Sequence, residues 1–242
     1  MSGGIDSSVT AMLLQREGHD VTGVFLRNGV RHAAGGKPGK QGCCSVEDAW
    51  DARRVADHLG IPLYVLNFEE SFNRIIDYFV GEYDRGATPN PCILCNRDVK
   101  FGRLFEYADA IGAEFIATGH YARLEGGRLL RGADPRKDQS YFLFPLRREQ
   151  LARVMFPVGG MEKPAVRELA REGGLRVAEK PESMEICFVP DNDYRRLVRE
   201  RIPEKVREGA FVTTRGDVVG RHGGHQLFTV GQRKGLGIAL GR

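Results

Sequence analysis

The sequence predicts an α/β protein with a doubly wound parallel sheet, followed by a small β-rich module. Between Val21 and Thr118, short β-rich runs alternate with helical patterns, and this alternation is typical of parallel sheets with helical crossovers. From about Arg207 the pattern changes to short strands separated by glycine turns. A chain of 242 residues that is 41% hydrophobic suffices for one large domain and a smaller one. We expect these domains over residues 1–203 and 204–242.

The individual elements are predicted from hydrophobic periodicity and from the residues that typically begin or end a helix or strand. Val9, Met12 and Leu13 recur at helical spacing after the first glycines, so a helix is expected there. The predicted strands cover residues 21–26, 63–68 and 114–118. Further helices are expected from a capping box at Ser45 to Gly60, around 72–79, after Cys95, over 163–173 and over 191–201. A hairpin is expected around Gly126 and Gly127.

The opening segment has the composition of an anion-binding turn. It comprises Ser2, Gly3, Gly4, Ile5, Asp6, Ser7 and Ser8. Glycine lets the backbone approach an anion closely, because no Cβ intrudes. The first N–H groups of the following helix have no partner within the helix, and the helix dipole favours negative charge there. The simpler interpretation is a serine-glycine turn that caps a helix, and the lysine of a Walker A loop is missing.

Charge and hydropathy narrow the class of protein. The net charge of +4 and the pI near 8.8 are compatible with a nucleic-acid partner without requiring one. No apolar run approaches the length of a membrane span, and no signal peptide precedes the opening turn. We therefore expect a cytoplasmic protein that does not enter a membrane. Five cysteines in such a chain favour catalysis or metal chemistry over a disulfide scaffold.

Three cysteines are candidates for that chemistry. Cys92 and Cys95 form a CxxC motif, and Cys187 lies far from it along the chain. Arg97 and Lys100 follow the motif closely, and a helix is expected to begin there. A cysteine near basic residues or a helix N-terminus is more readily ionised to the reactive thiolate.

Cys43 and Cys44 offer a second interpretation of the cysteines. Together with the CxxC motif they could form a structural zinc site. The spacing between the two pairs is longer than in common zinc motifs, and small, partly buried residues are the other interpretation of this pair.

Polar residues follow the third predicted strand and the hairpin. Gly119 and His120 come at the carboxyl end of a strand, where parallel sheets bind ligands. A buried, hydrogen-bonded histidine is the simpler interpretation of His120. Lys137, Asp138 and Gln139 form a polar cluster beside aromatic residues, and a solvated turn is the alternative for this cluster.

The opening segment resembles the pyrophosphate-binding loop of the PP-loop ATPases, which cleave ATP between the α- and β-phosphates and adenylate a substrate. Six segments occur in the order seen in the tRNA-specific 2-thiouridylase family (MnmA/TrmU), over essentially the whole chain. They are SGGIDSS, TPNPCILCNRDVKFG, ATGHYAR, KDQSYFLF, SMEICFVP and VGQRKGLGI. The resemblance implies a PP-loop, adenine nucleotide alpha hydrolase-like fold. It also implies a sulfurtransferase that thiolates the 2-position of the wobble uridine in tRNA.

The resemblance further assigns roles to residues. Cys187 would carry a persulfide that attacks the activated carbon, and Cys95 would release the sulfur by forming a disulfide with Cys187. ATP contacts are implied at Ser2, Gly3, Gly4, Asp6, Ser7, Ser8, Leu26 and Gly119. Contacts with tRNA are implied at Asn90, Pro91 and Cys92, against the target base, and at His120, Lys137, Asp138 and Gln139. ATP and Mg²⁺ would be the cofactors, and a cysteine desulfurase or sulfur relay protein would donate the sulfur.

Two departures from the family pattern leave alternatives open. Many relatives have an aspartate where this chain has Cys92, so Cys92, Cys95 and Cys187 could instead hold a [4Fe–4S] cluster. Sulfur would then arrive through a persulfide or through iron. The second departure is at the ends, because relatives begin with a strand before the opening turn and continue beyond Gly237 into a β-barrel. The resemblance thus implies a chain that is incomplete at both termini.

Two other functions remain as alternatives. Another PP-loop adenylating enzyme, such as a synthetase that amidates a nucleotide or NAD precursor, would need no CxxC motif with a distant cysteine. A tRNA-binding fragment with impaired catalysis would use the basic segment 194–207 and the turn 231–235 for phosphate contacts. A solvated surface helix is the simpler interpretation of that charge run.

Overall fold

A computed structural model of the chain describes residues 1–29, 46–181, 186–189 and 191–238. The expected capping residue Ser45 and the pair Cys43 and Cys44 lie outside these ranges. No helix in the described part of the chain is both long and apolar enough to cross a membrane.

The expected alternation of helices and strands is present. The α-helices are α1 (Ile5–Arg16), α2 (Val46–Leu59), α3 (Glu69–Asp84), α4 (Pro91–Leu94), α5 (Leu104–Ala110), α6 (Arg148–Leu151), α7 (Lys163–Glu172) and α8 (Tyr194–Arg201). A π-helix spans Cys95–Arg103, and 3₁₀ helices span Ser140–Leu143, Arg176–Glu179 and His225–Leu227. The strands are β1 (Gly23–Arg27), β2 (Leu63–Asn67), β3 (Ile116–Ala117), β4 (Ala122–Glu125), β5 (Arg128–Arg131), β6 (Val154–Met155), β7 (Gly209–Val212) and β8 (Val218–His222).

Parallel pairing occurs in two pairs of strands. β1 lies parallel to β2 with Gly23 opposite Leu63, and β3 lies parallel to β6 with Ile116 opposite Val154. Within the described ranges the two pairs are not hydrogen-bonded to each other. The predicted α/β class is confirmed, and the doubly wound sheet is present as two parallel halves. The β4–β5 hairpin, with its turn at Gly126 and Gly127, and the antiparallel β7–β8 hairpin also match the expectation.

Apolar contacts enclose α1 on two sides. Val9 packs in one cluster with Val166 of α7, and both side chains are fully buried. Ala11 packs in a second cluster with Phe25 of β1 and Ala52 of α2. Burial of one aliphatic side chain contributes about 1.5–3 kcal/mol, so these contacts fix the helix that follows the opening turn.

A third apolar cluster joins α3, α8 and the 3₁₀ helix that follows the β7–β8 hairpin. Phe79, Val198 and Leu227 are buried together in it. The rings of Tyr83 and Tyr194 stack with centroids 4.3 Å apart. The segment that follows the β7–β8 hairpin therefore packs directly against α3 and α8.

Two arginines of α8 form ion pairs with carboxylates of the protein. The Arg196 guanidinium lies 2.7 Å from the Asp191 carboxylate and 2.8 Å from Glu200 Oε1. Arg201 lies 3.3 Å from Asp77 of α3. Partly exposed pairs of this kind contribute about 1 kcal/mol or less each.

Candidate active site

A cavity of about 1070 Å³ is lined by residues of both parallel strand pairs. Most of the predicted site residues line it. They are Ser2, Gly4, Asp6, Ser7, Leu26, Pro91, Cys92, Cys95, Gly119, His120, Lys137, Asp138, Gln139 and Cys187. Gly3, Ser8 and Asn90 are the predicted residues that do not line this cavity. The cavity runs along the space between the two strand pairs, because its lining includes residues before β1 and β3, such as Val21 and Phe115, as well as residues at their carboxyl ends. The carboxyl ends are where parallel sheets bind ligands.

The opening turn is closed by hydrogen bonds among its own residues. The N–H of Ser2 donates to Ser7 Oγ at 3.0 Å, and Ser7 Oγ donates to the Gly4 carbonyl at 3.1 Å. The Ser8 hydroxyl donates to the same carbonyl at 2.8 Å, and Ser8 is fully buried. Gly4 caps α1 without a side-chain hydrogen bond. Ser8 therefore has a structural position, whereas Ser2 and Ser7 border the cavity.

Two glycines permit close approach of neighbouring backbone to the turn. Gly3 has φ +69°, and a Cβ there would lie 2.2 Å from the Asp48 carbonyl oxygen. At Gly119 a Cβ would lie 2.7 Å from the carbonyl carbon of Asp6 and 2.8 Å from the backbone nitrogen of Ser7. Gly119, two residues beyond the end of β3, thus touches the first turn of α1, and no side chain larger than hydrogen fits at this position.

Three side chains that the sequence interpretation missed complete the turn. Lys163 Nζ lies 2.7 Å and 2.8 Å from the two carboxylate oxygens of Asp6, and the Tyr121 hydroxyl donates to Asp6 Oδ1 at 2.8 Å. Lys180 Nζ donates to the Gly3 carbonyl at 3.0 Å. The two lysines follow their partners by 157 and 177 residues. No local pattern marks such contacts, because folding alone brings the groups together.

The cysteines of the predicted sulfur chemistry line the same cavity. Cys92 lies on α4, Cys95 begins the π-helix, and Cys187 lies in the short described segment 186–189. Cys95 and Cys187 also pack against the same apolar cluster. π-helices are rare and occur frequently at functional sites. The CxxC motif and the distant cysteine, remote in sequence, therefore share one space.

The described residues bear differently on the two expected metal groups. Among them, no three cysteine, histidine, aspartate or glutamate residues are grouped so as to hold a metal ion. A [4Fe–4S] cluster would need the thiolates of Cys92, Cys95 and Cys187 to converge on it. Mg²⁺ in nucleotide sites is held mainly by phosphates and water with one or two carboxylates, and Asp6 at the turn is compatible with that.

His120 is buried beside two polar groups. Its Nδ1 lies 2.8 Å from Thr118 Oγ1, and its Nε2 lies 3.5 Å from Lys100 Nζ. Burial, together with the nearby charge of Lys100, holds the pKa of His120 well below its usual range. The imidazole is therefore neutral at pH 7 and cannot act as a cation towards phosphate.

The neutral state of His120 makes the fold sensitive to acid. The unfolded chain protonates this group near pH 6.5, whereas the folded chain does so only at lower pH. Stability is fully present above about pH 6.5 and is expected to fall by up to about 1.4 kcal/mol for each pH unit below it. Urea unfolding at about pH 7.5 and pH 5.5 tests this, and His120→Gln is expected to lose less stability than the wild type. Equal losses of stability in the wild type and in His120→Gln would contradict the lowered pKa of His120.

The polar cluster after the hairpin is held in place by hydrogen bonds. Asp138 accepts from the N–H of Gly132 at 3.0 Å and from the N–H and hydroxyl of Ser140 at 3.1 Å. Burial raises the pKa of Asp138, but these hydrogen bonds outweigh it, and the pKa lies below its usual value. Gln139 Oε1 accepts from the N–H of Tyr121 at 3.1 Å. Both side chains thus order the cavity wall next to the opening turn.

Comparison with known proteins identifies relatives along the whole chain. Residues 1–191 match the family model described as the tRNA methyl transferase HUP domain, and residues 195–242 match the tRNA methyl transferase PRC-barrel domain. The tRNA-specific 2-thiouridylase MnmA of Geobacter metallireducens is 56% identical over 99% of this chain and 67% of its own length. That of Heliobacterium modesticaldum is 53% identical over 100% of this chain and 64% of its own length. The chain thus spans about two thirds of the length of these relatives.

Among solved structures, the chain is similar to the NMN synthetase from Francisella tularensis, with 15% identity and a TM-score of 0.45 over 88% of this chain and 87% of that one. This likeness is too low to carry a conclusion about function. The family model over residues 1–191 and the high identity of the relatives do show the family. By these matches, the chain belongs to the tRNA-specific 2-thiouridylase family.

Proposed function

We propose that this chain carries out ATP-dependent thiolation of the 2-position of the wobble uridine in tRNA. The observation that carries the proposal is that the opening turn, Gly119, Cys95 and Cys187 border one cavity. Replacement of a carbonyl oxygen by sulfur needs activation of that oxygen and delivery of a nucleophilic sulfur, and the turn and the cysteines would supply these two functions. The names of the relatives, tRNA-specific 2-thiouridylases, support the same reaction.

In the first step, the uridine 2-oxygen attacks the α-phosphorus of ATP. A bond forms between this oxygen and phosphorus, the bond to the β-phosphate breaks, and pyrophosphate leaves. The N–H groups of the first turn of α1 and the hydroxyls of Ser2 and Ser7 are placed to stabilise the negative charge on the leaving group. Mg²⁺, when bound, would neutralise part of this charge, with Asp6 as its closest carboxylate candidate.

In the second step, the terminal sulfur of a Cys187 persulfide attacks carbon 2 and AMP leaves with the oxygen. The Cys95 thiolate then attacks Cys187 Sγ, so that a Cys95–Cys187 disulfide forms and the base keeps the sulfur. The transferred sulfur is reduced to the level of sulfide, while the sulfur atoms of Cys95 and Cys187 end as a disulfide. An external thiol must reduce this disulfide before the next turnover. The cavity lining and the shared apolar cluster of Cys95 and Cys187 support this sequence.

The persulfide route is preferred over the iron–sulfur route. The persulfide route needs only Cys95 and Cys187, which line one cavity and pack against one apolar cluster, whereas the iron–sulfur route needs a third thiolate as well. Anaerobic purification separates the two routes. Iron-free protein that remains active supports the persulfide, and about four irons per chain would support the cluster.

The remaining roles belong to the same proposal. Asn90, Pro91 and Cys92 would contact the target base, and His120, Lys137, Asp138 and Gln139 would contact the tRNA. For His120, the neutral imidazole restricts this contact to hydrogen bonding. A cysteine desulfurase or sulfur relay protein in the cytoplasm would donate the sulfur. The boundary between the two domains would lie between residues 203 and 204.

Mass spectrometry of tRNA nucleosides tests the proposed function. The chain is incubated with tRNA, ATP, Mg²⁺ and a persulfide source, and 2-thiouridine at the wobble position is the expected product. Omission of ATP provides the control, since no adenylate can then form. Salt-sensitive tRNA binding without pyrophosphate release or 2-thiouridine would instead support the alternative of a tRNA-binding fragment.

A further inference from the structure

The opening turn contains no cation of its own. Its residues, 2–8, include one carboxylate, Asp6, and no lysine or arginine. Loops of the Walker A type place a lysine on the β- and γ-phosphates of the nucleotide. If the turn bound the triphosphate of ATP with amides and hydroxyls alone, water and Mg²⁺ would have to neutralise most of the negative charge of the phosphates. Cationic side chains from elsewhere in the fold are therefore of interest.

Lys163 brings one ammonium group to the turn. It is the first residue of α7, its side chain is only 9% exposed, and it lines the cavity. Its Nζ lies within 2.8 Å of both carboxylate oxygens of Asp6 and 5.6 Å from the ring centre of Tyr121. Asp134 Oδ2 accepts from the backbone N–H of Lys163 at 3.2 Å and so fixes the start of the helix. The charge is thus held at the first turn of α1.

Lys180 brings a second ammonium group to the turn. It lines the cavity, and its Nζ donates to the Gly3 carbonyl at 3.0 Å. Two carboxylates of α2 also hold it, Asp48 at 2.7 Å and Asp51 at 2.5 Å. Burial lowers the pKa of Lys180, but the hydrogen bonds to these carboxylates outweigh burial and raise it overall. The group therefore remains charged at any physiological pH.

We propose that Lys163 and Lys180 are nucleotide-binding residues whose ammonium groups contact the β- and γ-phosphates of ATP. Each ammonium lies within hydrogen-bond distance of an atom of the turn, and it would contact a phosphate seated there by exchanging one of its present hydrogen bonds for a phosphate oxygen. The carboxylates keep the two side chains charged and oriented before the nucleotide arrives. Because Asp6, Asp48 and Asp51 exceed the two lysines by one charge, the Mg²⁺ complex of ATP is the species expected to bind.

Nucleotide titrations test this proposal without tRNA or a sulfur source. The dissociation constants of ATP and AMP are measured with Mg²⁺ by calorimetry, for the wild type, Lys163→Met and Lys180→Met. Hydrogen bonds between charged groups predict that each variant loses about 10- to 100-fold in affinity for ATP. AMP carries neither phosphate, so its affinity is expected to change by less than about threefold.

Lys205→Met is the matched control. Lys205 forms an ion pair with Asp84 at 2.8 Å outside the cavity lining, so the same charge is removed away from the turn. Because Lys163→Met leaves Asp6 unbalanced, the double variant Asp6→Asn/Lys163→Met restores neutrality and is compared by melting temperature. If the ratio of ATP to AMP affinity in folded Lys180→Met equals that of the wild type, the proposal is wrong for Lys180. For Lys163, the double variant is compared with the single variant Asp6→Asn, and equal ratios in these two proteins would show that the proposal is wrong for Lys163.

The proposal rests on the proposed function only for the identity of the nucleotide. A chain that prefers ATP to AMP through the two lysines but forms no 2-thiouridine would contradict the proposed function and leave this inference intact. A wild type without preference for ATP over AMP would overturn the inference.

Discussion

Cys187→Ser is expected to abolish thiolation of tRNA while adenylation continues. A serine oxygen cannot carry a persulfide, so no nucleophilic sulfur reaches carbon 2 of the base. Loss of a covalent nucleophile lowers turnover by roughly three orders of magnitude or more. Two measurements separate the steps: 2-thiouridine by mass spectrometry and pyrophosphate release in the presence of tRNA. The first is expected to disappear, and the second is expected to persist for at least one turnover.

Cys43→Ser provides the control, because it makes the same chemical change at a cysteine outside the predicted site. Cys95→Ser separates release of the sulfur from its attack on the base. It is expected to trap tRNA on Cys187 through a disulfide that dithiothreitol cleaves. Undiminished 2-thiouridine formation in the double variant Cys95→Ser/Cys187→Ser would show that the sulfur chemistry does not use these residues.

Gly119→Ala is expected to weaken ATP binding about 10- to 100-fold. The added methyl carbon would lie 2.7 Å from the Asp6 carbonyl carbon and 2.8 Å from the Ser7 nitrogen, both of them backbone atoms. The first turn of α1 must therefore shift away from the end of β3. A displacement of about 1 Å at a binding site is enough for a loss of this size. Calorimetric titration with ATP and Mg²⁺ measures it.

Gly160→Ala is the control for this substitution. Gly160 has no heavy atom within 4 Å of an added Cβ and no positive φ, so alanine there meets open space. Both variants are expected to keep the helical circular dichroism of the wild type, because the clash at Gly119 is local. Wild-type ATP affinity in Gly119→Ala would mean that the end of β3 does not support the nucleotide site.

Local sequence patterns were enough to predict the elements that interactions between nearby residues stabilise. The helix α1 follows from the apolar spacing of Val9, Met12 and Leu13, and the β4–β5 turn follows from Gly126 and Gly127, which have φ +56° and +74°. The strand expected over 114–118 is only Ile116–Ala117. Its length depends on the two residues that β6 offers for pairing.

The sequence by itself determined the α/β class, and it predicted the anion-binding turn and the cysteines of the proposed sulfur transfer. These depend on residue type, spacing and order, which a single chain displays. Only the tertiary structure decided that Ser8 faces its own helix, that His120 is neutral, and that Lys163 and Lys180 reach the turn. Those outcomes depend on burial and on distances between groups far apart along the chain, and neither quantity exists before the chain has folded.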